Sequence, residues 1–267
     1  MPAFAARPGM PYWIELVSSE ARKSSYFYSR LMGWEIGAAD SGEHRAEYQV
    51  ARLQGLPVAG LVEAEGMADA WVTYFYSDDI AADALRVTEL GGRVVAEPTE
   101  VTLGTMALCA DAAGGWFGLF QPAGEDAFVA AGEPGTPVWH EYTSTGDAAA
   151  VIDFYGDLFG WEIVENEGYY LVMAEGAAFA GIWDAAGVIP EDMPSFWQTY
   201  LGVANAAEAR ARVGEFGGEV LRGPENSPFG LLLTAVDSTG ALVTLCEVDE
   251  PVDEDALSEA DSVLDFL

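Results

Sequence analysis

The chain repeats itself. Residues 11–36 read PYWIELVSSEARKSSYFYSRLMGWEI, and residues 137–163 return as PVWHEYTSTGDAAAVIDFYGDLFGWEI. At a spacing of 126 residues Trp13 matches Trp139, Glu15 matches Glu141, Trp71 matches Trp197 and Tyr74 matches Tyr200. Gly91-Gly92, Gly104 and Asp111 return as Gly217-Gly218, Gly230 and Asp237. A length of 267 residues alone admits one large domain or two. The repeat decides for two homologous domains. The expected division is an N-terminal arm over 1–10, a first domain over 11–123, a linker over 124–136, a second domain over 137–247 and an acidic tail over 248–267.

A finer period divides each half. Trp13 to Trp71 and Trp139 to Trp197 are both 58 residues apart, and each tryptophan opens a short extended run: WIELV, WVTYFY, WHEYT and WQTYL. A polar break and a helical pattern follow each run. Asp147 can cap a helix whose apolar face is Val151, Phe154, Tyr155 and Leu158, and Ser24, Phe27, Tyr28 and Leu31 repeat that face in the first half. The helices after Trp71 and Trp197 end at the paired glycines, the common left-handed stop. YQVARL, VAGLVEA, TMALCAD and WFGLFQ then read as strands. Each quarter is thus expected to run strand, helix and three strands.

Composition narrows the partners. Forty-four acidic residues against eleven basic ones give a net charge of −33, and Lys23 is the single lysine. Nucleic-acid backbones and anionic membranes both need basic side chains, so neither is an expected partner. No apolar run approaches the roughly 20 residues of a bilayer-spanning helix, and the proline-broken start MPAFAARPGMPYW does not read as a signal peptide. Cys109 and Cys246 lie far apart in apolar surroundings, as small buried side chains of a cytoplasmic protein do. The last twenty residues hold eight acids and no base, which leaves −25 on the rest. Acidity spread over both domains, with lysine nearly absent, suits a salty cytoplasm better than the steering of one cationic ligand.

FYSRLMGWEI and FYGDLFGWEI, together with the late GG…D…G pattern ending in GWFGLFQ and GALVTLCE, resemble the vicinal oxygen chelate superfamily. That superfamily includes glyoxalase I, bleomycin-resistance proteins and extradiol dioxygenases. The resemblance runs from about Pro11 to Glu247. It implies an α+β fold of two tandem domains, each of two βαβββ modules curled into a cupped mixed sheet, with a small ligand and often a metal in the cup. In metal-dependent relatives one ligand opens a module's first strand and another, usually Glu, follows the late Asp by seven residues. Here the first positions hold Trp13, Trp71, Trp139 and Trp197, and the second hold Gly118 and Thr244. None is a ligand for zinc, iron or nickel. The only histidines, His44 and His140, leave a two-His-one-carboxylate set barely open, with His140 the remote candidate.

What stands in place of the metal is therefore the question. Alternation puts Glu15 on the face of Trp13 and Glu141 on the face of Trp139. The expectation is a cup walled by Trp13, Trp71, Trp139 and Trp197, with Thr73 and Thr199 as hydrogen-bonding neighbours. It would need no cofactor and would bind an aromatic or cationic small molecule for sequestration or sensing. Tyr74 and Tyr200 fall on the other face from Trp71 and Trp197 and are expected to pack. The alternatives are a glyoxalase-type lyase or isomerase using Glu15 or Glu141 as acid or base, and a structural or partner-binding module. Either a monomer with internal pseudo-twofold symmetry or a homodimer fits.

Overall fold

The computed structural model describes residues 3–39, 48–124, 128–190 and 193–250. His44, part of the expected linker and nearly all of the acidic tail lie outside these. The first half runs β1 (Ala3–Ala5), β2 (Pro11–Ser18), α1 (Ala21–Met32), β3 (Glu35–Ala38), β4 (Tyr48–Leu53), β5 (Leu56–Glu63), β6 (Ala70–Tyr76), α2 (Ile80–Glu89), β7 (Arg93–Val101), β8 (Gly104–Ala110), β9 (Trp116–Pro122) and β10 (Phe128–Ala130). The second half runs β11 (Pro137–Ser144), α3 (Ala148–Phe159), β12 (Glu162–Asn166), β13 (Tyr169–Ala174), β14 (Ala177–Asp184), β15 (Phe196–Val203), α4 (Ala206–Glu215), β16 (Glu219–Ser227), β17 (Gly230–Val236) and β18 (Leu242–Glu247).

Each half builds one eight-stranded mixed sheet with the same order, β3-β4-β5-β2-β6-β9-β8-β7 and β12-β13-β14-β11-β15-β18-β17-β16. The two modules of a sheet join through their first strands, β2 with β6 and β11 with β15, both antiparallel. The expected modules are present four times over. Asp147 caps α3 by accepting from Ala149 N and Ala150 N. Ser24, Phe27, Tyr28 and Leu31 form the buried stripe of α1. Gly91 and Gly217 take φ of 89° and 93° just past α2 and α4, which a Cβ would resist.

The strands that carried no sequence signal are the outermost ones. In β3, β12, β7 and β16 most residues are exposed or half-buried, so no apolar alternation marks them. The N-terminal arm is tied down too, because β1 pairs with β10.

The helix-bearing faces of the two sheets meet each other. Phe27, Tyr28 and Leu31 of α1 share a core with Leu201, Val213, Leu233 and Leu245 of the second half. Phe154, Tyr155 and Leu158 of α3 share one with Phe75, Val87, Phe117 and Leu119 of the first. Thr73 and its equivalent Thr199 touch, Oγ1 to Oγ1 at 3.1 Å, which puts the approximate twofold axis between them. The contacts on either side are reciprocal: the Phe154 ring lies 3.1 Å from where a Cβ on Gly92 would be, and the Phe27 ring lies 2.7 Å from the same place on Gly218. Tyr155 donates to Asp111 Oδ2 at 2.9 Å, and Tyr28 faces Asp237. The FY and GG…D motifs of the sequence are thus two halves of one interdomain contact, made twice.

Candidate functional site

The inner face of each sheet, turned away from the helices, carries a buried carboxylate under tyrosines. In the first domain Trp13 and Glu15 project from β2 to this face, where Tyr48, Val72, Tyr74, Met106 and Phe120 gather around them. Trp13 Nε1 donates to the Tyr48 hydroxyl at 3.1 Å, and Tyr74 donates to Glu15 Oε1 at 2.9 Å. The second domain repeats this: Trp139 Nε1 donates to Tyr169 at 3.0 Å, and Tyr169 donates to Glu141 Oε2 at 2.8 Å. Gln198 Nε2 adds a bond to Glu141 Oε1 at 3.0 Å. Gly60 and Gly181 make these arrangements possible, since a Cβ at either would overlap the tyrosine hydroxyl above it.

Burial raises the proton affinity of both carboxyls, against the opposing pull of their hydrogen-bond donors, the Tyr74 and Tyr48 hydroxyls at Glu15, and the Tyr169 and Tyr200 hydroxyls with the Gln198 amide at Glu141. With a folded pKa above the unfolded one, the folded state binds more protons. The stabilising contribution is then full below the unfolded value and is lost as pH rises through the folded one. Glu15→Gln, which keeps an oxygen for Tyr74, should therefore gain stability over the parent as pH rises from 4 to 8. The two should converge at the acid end. Each tenfold change in proton affinity is worth about 1.4 kcal/mol, so paired thermal melts across that range read the effect directly. A constant difference across the range would disprove it.

Two expected wall residues are elsewhere. Trp71 and Trp197 point to the helix side, where Trp71 Nε1 donates to Tyr28 and Trp197 Nε1 to Tyr155, both at 2.8 Å. Antiparallel pairing sets Trp71 opposite Leu16 and Tyr74 opposite Trp13, so the inner-face aromatic of β6 is Tyr74. Thr73 and Thr199 follow their tryptophans to the helix side and meet at the pseudo-twofold axis. His140 lies there also, with Nδ1 at 3.2 Å from Thr199 Oγ1 and 3.5 Å from Thr73 Oγ1. The residues that the sequence reading did not single out are Tyr48, Tyr169 and Gln198. A tyrosine facing a glycine on the adjoining strand was the available signal. Gln121 and Glu247 have structural tasks, accepting from the first N–H groups of α2 and α4.

The side chains at the expected metal-ligand positions do not fit a divalent metal. The Tyr74 ring lies across Gly118, and Thr244 donates to Gln198 Oε1 at 3.2 Å. Among the described residues no three His, Cys, Asp or Glu side chains gather as a metal would require. Two cavities do open at the first domain. A small one of about 50 Å³ lies among Tyr48, Arg52, Leu103, Met106 and Phe120. A larger one of about 220 Å³ runs past Tyr12, Trp13, Val58 and Leu103 to Pro137 and His140 of the second domain. In the second domain the position of Leu103 is taken by Phe229, which stacks on Trp139 with centroids 5.1 Å apart.

This pair of sheets and their reciprocal interface define a tandem-module α+β protein, and the comparisons supply the family. The Glyoxalase-like domain model matches residues 13–120, and the Glyoxalase/Bleomycin resistance protein/Dioxygenase superfamily model matches residues 141–245. The chain belongs to that superfamily. It is 27% identical over 252 residues to a Mycobacterium tuberculosis protein named "Putative glyoxylase CFP32", covering 90% of this chain and 95% of the relative. It is 28% identical over 263 residues to the anthracycline biosynthesis protein DnrV of Streptomyces peucetius, covering 91% and 94%. Among solved structures, the Mn(II)-bound glyoxalase of Novosphingobium aromaticivorans superposes with a TM-score of 0.65 at 17% identity, over 94% of this chain and 85% of that one. No helix among the described residues is long and apolar enough to cross a membrane.

Proposed function

We propose that the protein binds a small planar aromatic molecule, without a metal, in the cavity beside Trp13, and that it captures this molecule rather than transforming it. One observation carries the reading: where the repeat sets Phe229 over Trp139, the first domain has Leu103, and a cavity opens next to Trp13. The lining is mostly apolar, with Tyr12 and Trp13 as aromatic walls, which suits stacking. It includes no carboxylate, so the aromatic half of the expectation is favoured over the cationic half. The relatives named for anthracycline biosynthesis are in keeping with an aromatic ligand. The lyase or isomerase reading rests on the raised proton affinities of Glu15 and Glu141, yet neither glutamate lines either cavity.

Titration of 1-indanone into metal-stripped protein, followed by calorimetry, tests the proposal. Trp13→Ala should weaken binding by about tenfold, the loss of roughly 1.4 kcal/mol of stacking and contact. Trp139→Ala should leave it unchanged. Equal affinity in the parent and Trp13→Ala would sink the idea, and turnover of a small carbonyl compound that Glu15→Gln abolishes would replace it with the enzyme reading.

A further inference from the structure

Taking that aromatic site as given, we infer that His140 selects its occupant, donating a hydrogen bond from Nε2 to a carbonyl oxygen, so that the ligand class is an aryl ketone or quinone. His140 comes from the second domain and lines the cavity of the first. It is 9% exposed. Trp13 Nε1 is already engaged with Tyr48, and Thr102 is exposed. The counterpart of His140 in the repeat is Ile14, which lines the same cavity without a polar atom. The imidazole is therefore a one-sided feature, with no polar counterpart in the repeat.

Proton accounting in the buried cluster fixes which ring nitrogen carries hydrogen. Thr73 Oγ1, Thr199 Oγ1 and His140 Nδ1 hydrogen-bond to one another, and no further side-chain partner is found for the two hydroxyls among the described residues. If Nδ1 donated to Thr199, Thr199 would donate to Thr73 and the Thr73 hydroxyl hydrogen would be left buried with nothing to accept it. That arrangement is costly. If Nδ1 accepts from Thr199, which accepts from Thr73, both hydroxyl hydrogens are used. The neutral ring then holds its proton on Nε2. Nε2 has no partner among the described residues. His140 lines the cavity, so this N–H is a donor that an aromatic molecule bearing a carbonyl can meet there. Burial also lowers the His140 pKa to about 3, so the ring stays neutral and its donor stays in place across the ordinary pH range.

Three ligands of one skeleton test this by calorimetry on the full chain: indane, 1-indanone and 1-indanol. In the parent protein 1-indanone should bind about tenfold tighter than indane, the net worth of one buried hydrogen bond, with no change between pH 5 and 8. His140→Ile, which installs the residue of the other half, should keep the indane affinity and erase the ketone's advantage. Should that variant fail to fold, the comparison of ligands on the parent protein still decides. Equal binding of indane and 1-indanone overturns the role of His140 while leaving the aromatic site standing. Preference for 1-indanol over the ketone overturns it also, because it assigns the proton to Nδ1. If none of the three binds, the aromatic reading itself falls and this inference falls with it.

Discussion

Asp111→Ala should cost the fold about 4 kcal/mol and lower the melting temperature by on the order of 10 °C. Asp111 is 4% exposed and sits in the turn between β8 and β9. Its Oδ1 accepts from Ala113 N at 2.8 Å and Gly115 N at 2.9 Å, closing that turn. Its Oδ2 accepts from Tyr155 of the other domain at 2.9 Å, and Tyr155 in turn accepts from Trp197 at 2.8 Å. Alanine strands two backbone N–H groups and a fully buried hydroxyl, each worth about 1–3 kcal/mol when orphaned. Asp111→Asn keeps one oxygen for the turn and should cost roughly half as much. The interdomain part can be isolated with Tyr155→Phe. If Asp111 acts across the interface, the double variant Asp111→Ala, Tyr155→Phe should lose clearly less than the two singles together. Strict additivity, read from chemical denaturation, would show that Asp111 serves its own turn alone.

That interface explains why the residues easiest to find in the sequence say more about assembly than about ligand. The FY of each first helix and the GG…D of each late turn stand out because their partners are fixed: Phe154 against Gly92, Tyr155 against Asp111, and Phe27 and Tyr28 against Gly218 and Asp237. The four modules were legible for a related reason. A helix buried on one face, a capping aspartate and a glycine stop leave periodic marks in the chain. The faces of the sheet were half legible. Alternation along β2 correctly joined Glu15 to Trp13, and along β11 joined Glu141 to Trp139. It could not relate one strand to the next, and equivalence between modules suggested that Trp71 should share the face of Trp13. The antiparallel register of β2 and β6 reverses this, because it sets Trp71 against Leu16. The difference that decides the cavity rests on a side chain in a hairpin turn, Leu103 against Phe229, and no periodicity marks a turn residue. His140 presented the same difficulty: its neighbours Thr73 and Thr199 reach it from strands 67 and 59 residues away in the chain.

Gly118→Ala should be almost as damaging as the loss of Asp111, at about 3 kcal/mol, although it adds one methyl group. Gly118 lies in β9 beside Tyr74 of β6, and the tyrosine ring covers the position a Cβ would take, with three of its ring carbons inside contact distance. Tyr74 cannot simply swing aside, since it is 4% exposed and its hydroxyl is held by Glu15 at 2.9 Å. Forcing extra atoms into such a place costs about 1–3 kcal/mol, and the loss of the Glu15 bond as the ring shifts brings the sum to the upper end. The glycine therefore excludes more than a methyl. The family resemblance matches Gly118 to a position where metal-dependent relatives carry a carboxylate, and Gly118→Glu, which would supply one, meets the same ring and adds a buried charge. Gly118→Glu with Trp13→His would rebuild the pair of first-domain ligands on paper. It should yield destabilised protein rather than a manganese site, and thermal melts with and without Mn(II) would separate those outcomes. A rise in melting temperature with Mn(II) would mean that the tyrosine clamp is a replaceable lining. No rise would mean that Trp13, Glu15, Tyr48 and Tyr74 form a packed unit whose geometry is incompatible with a metal at these two positions.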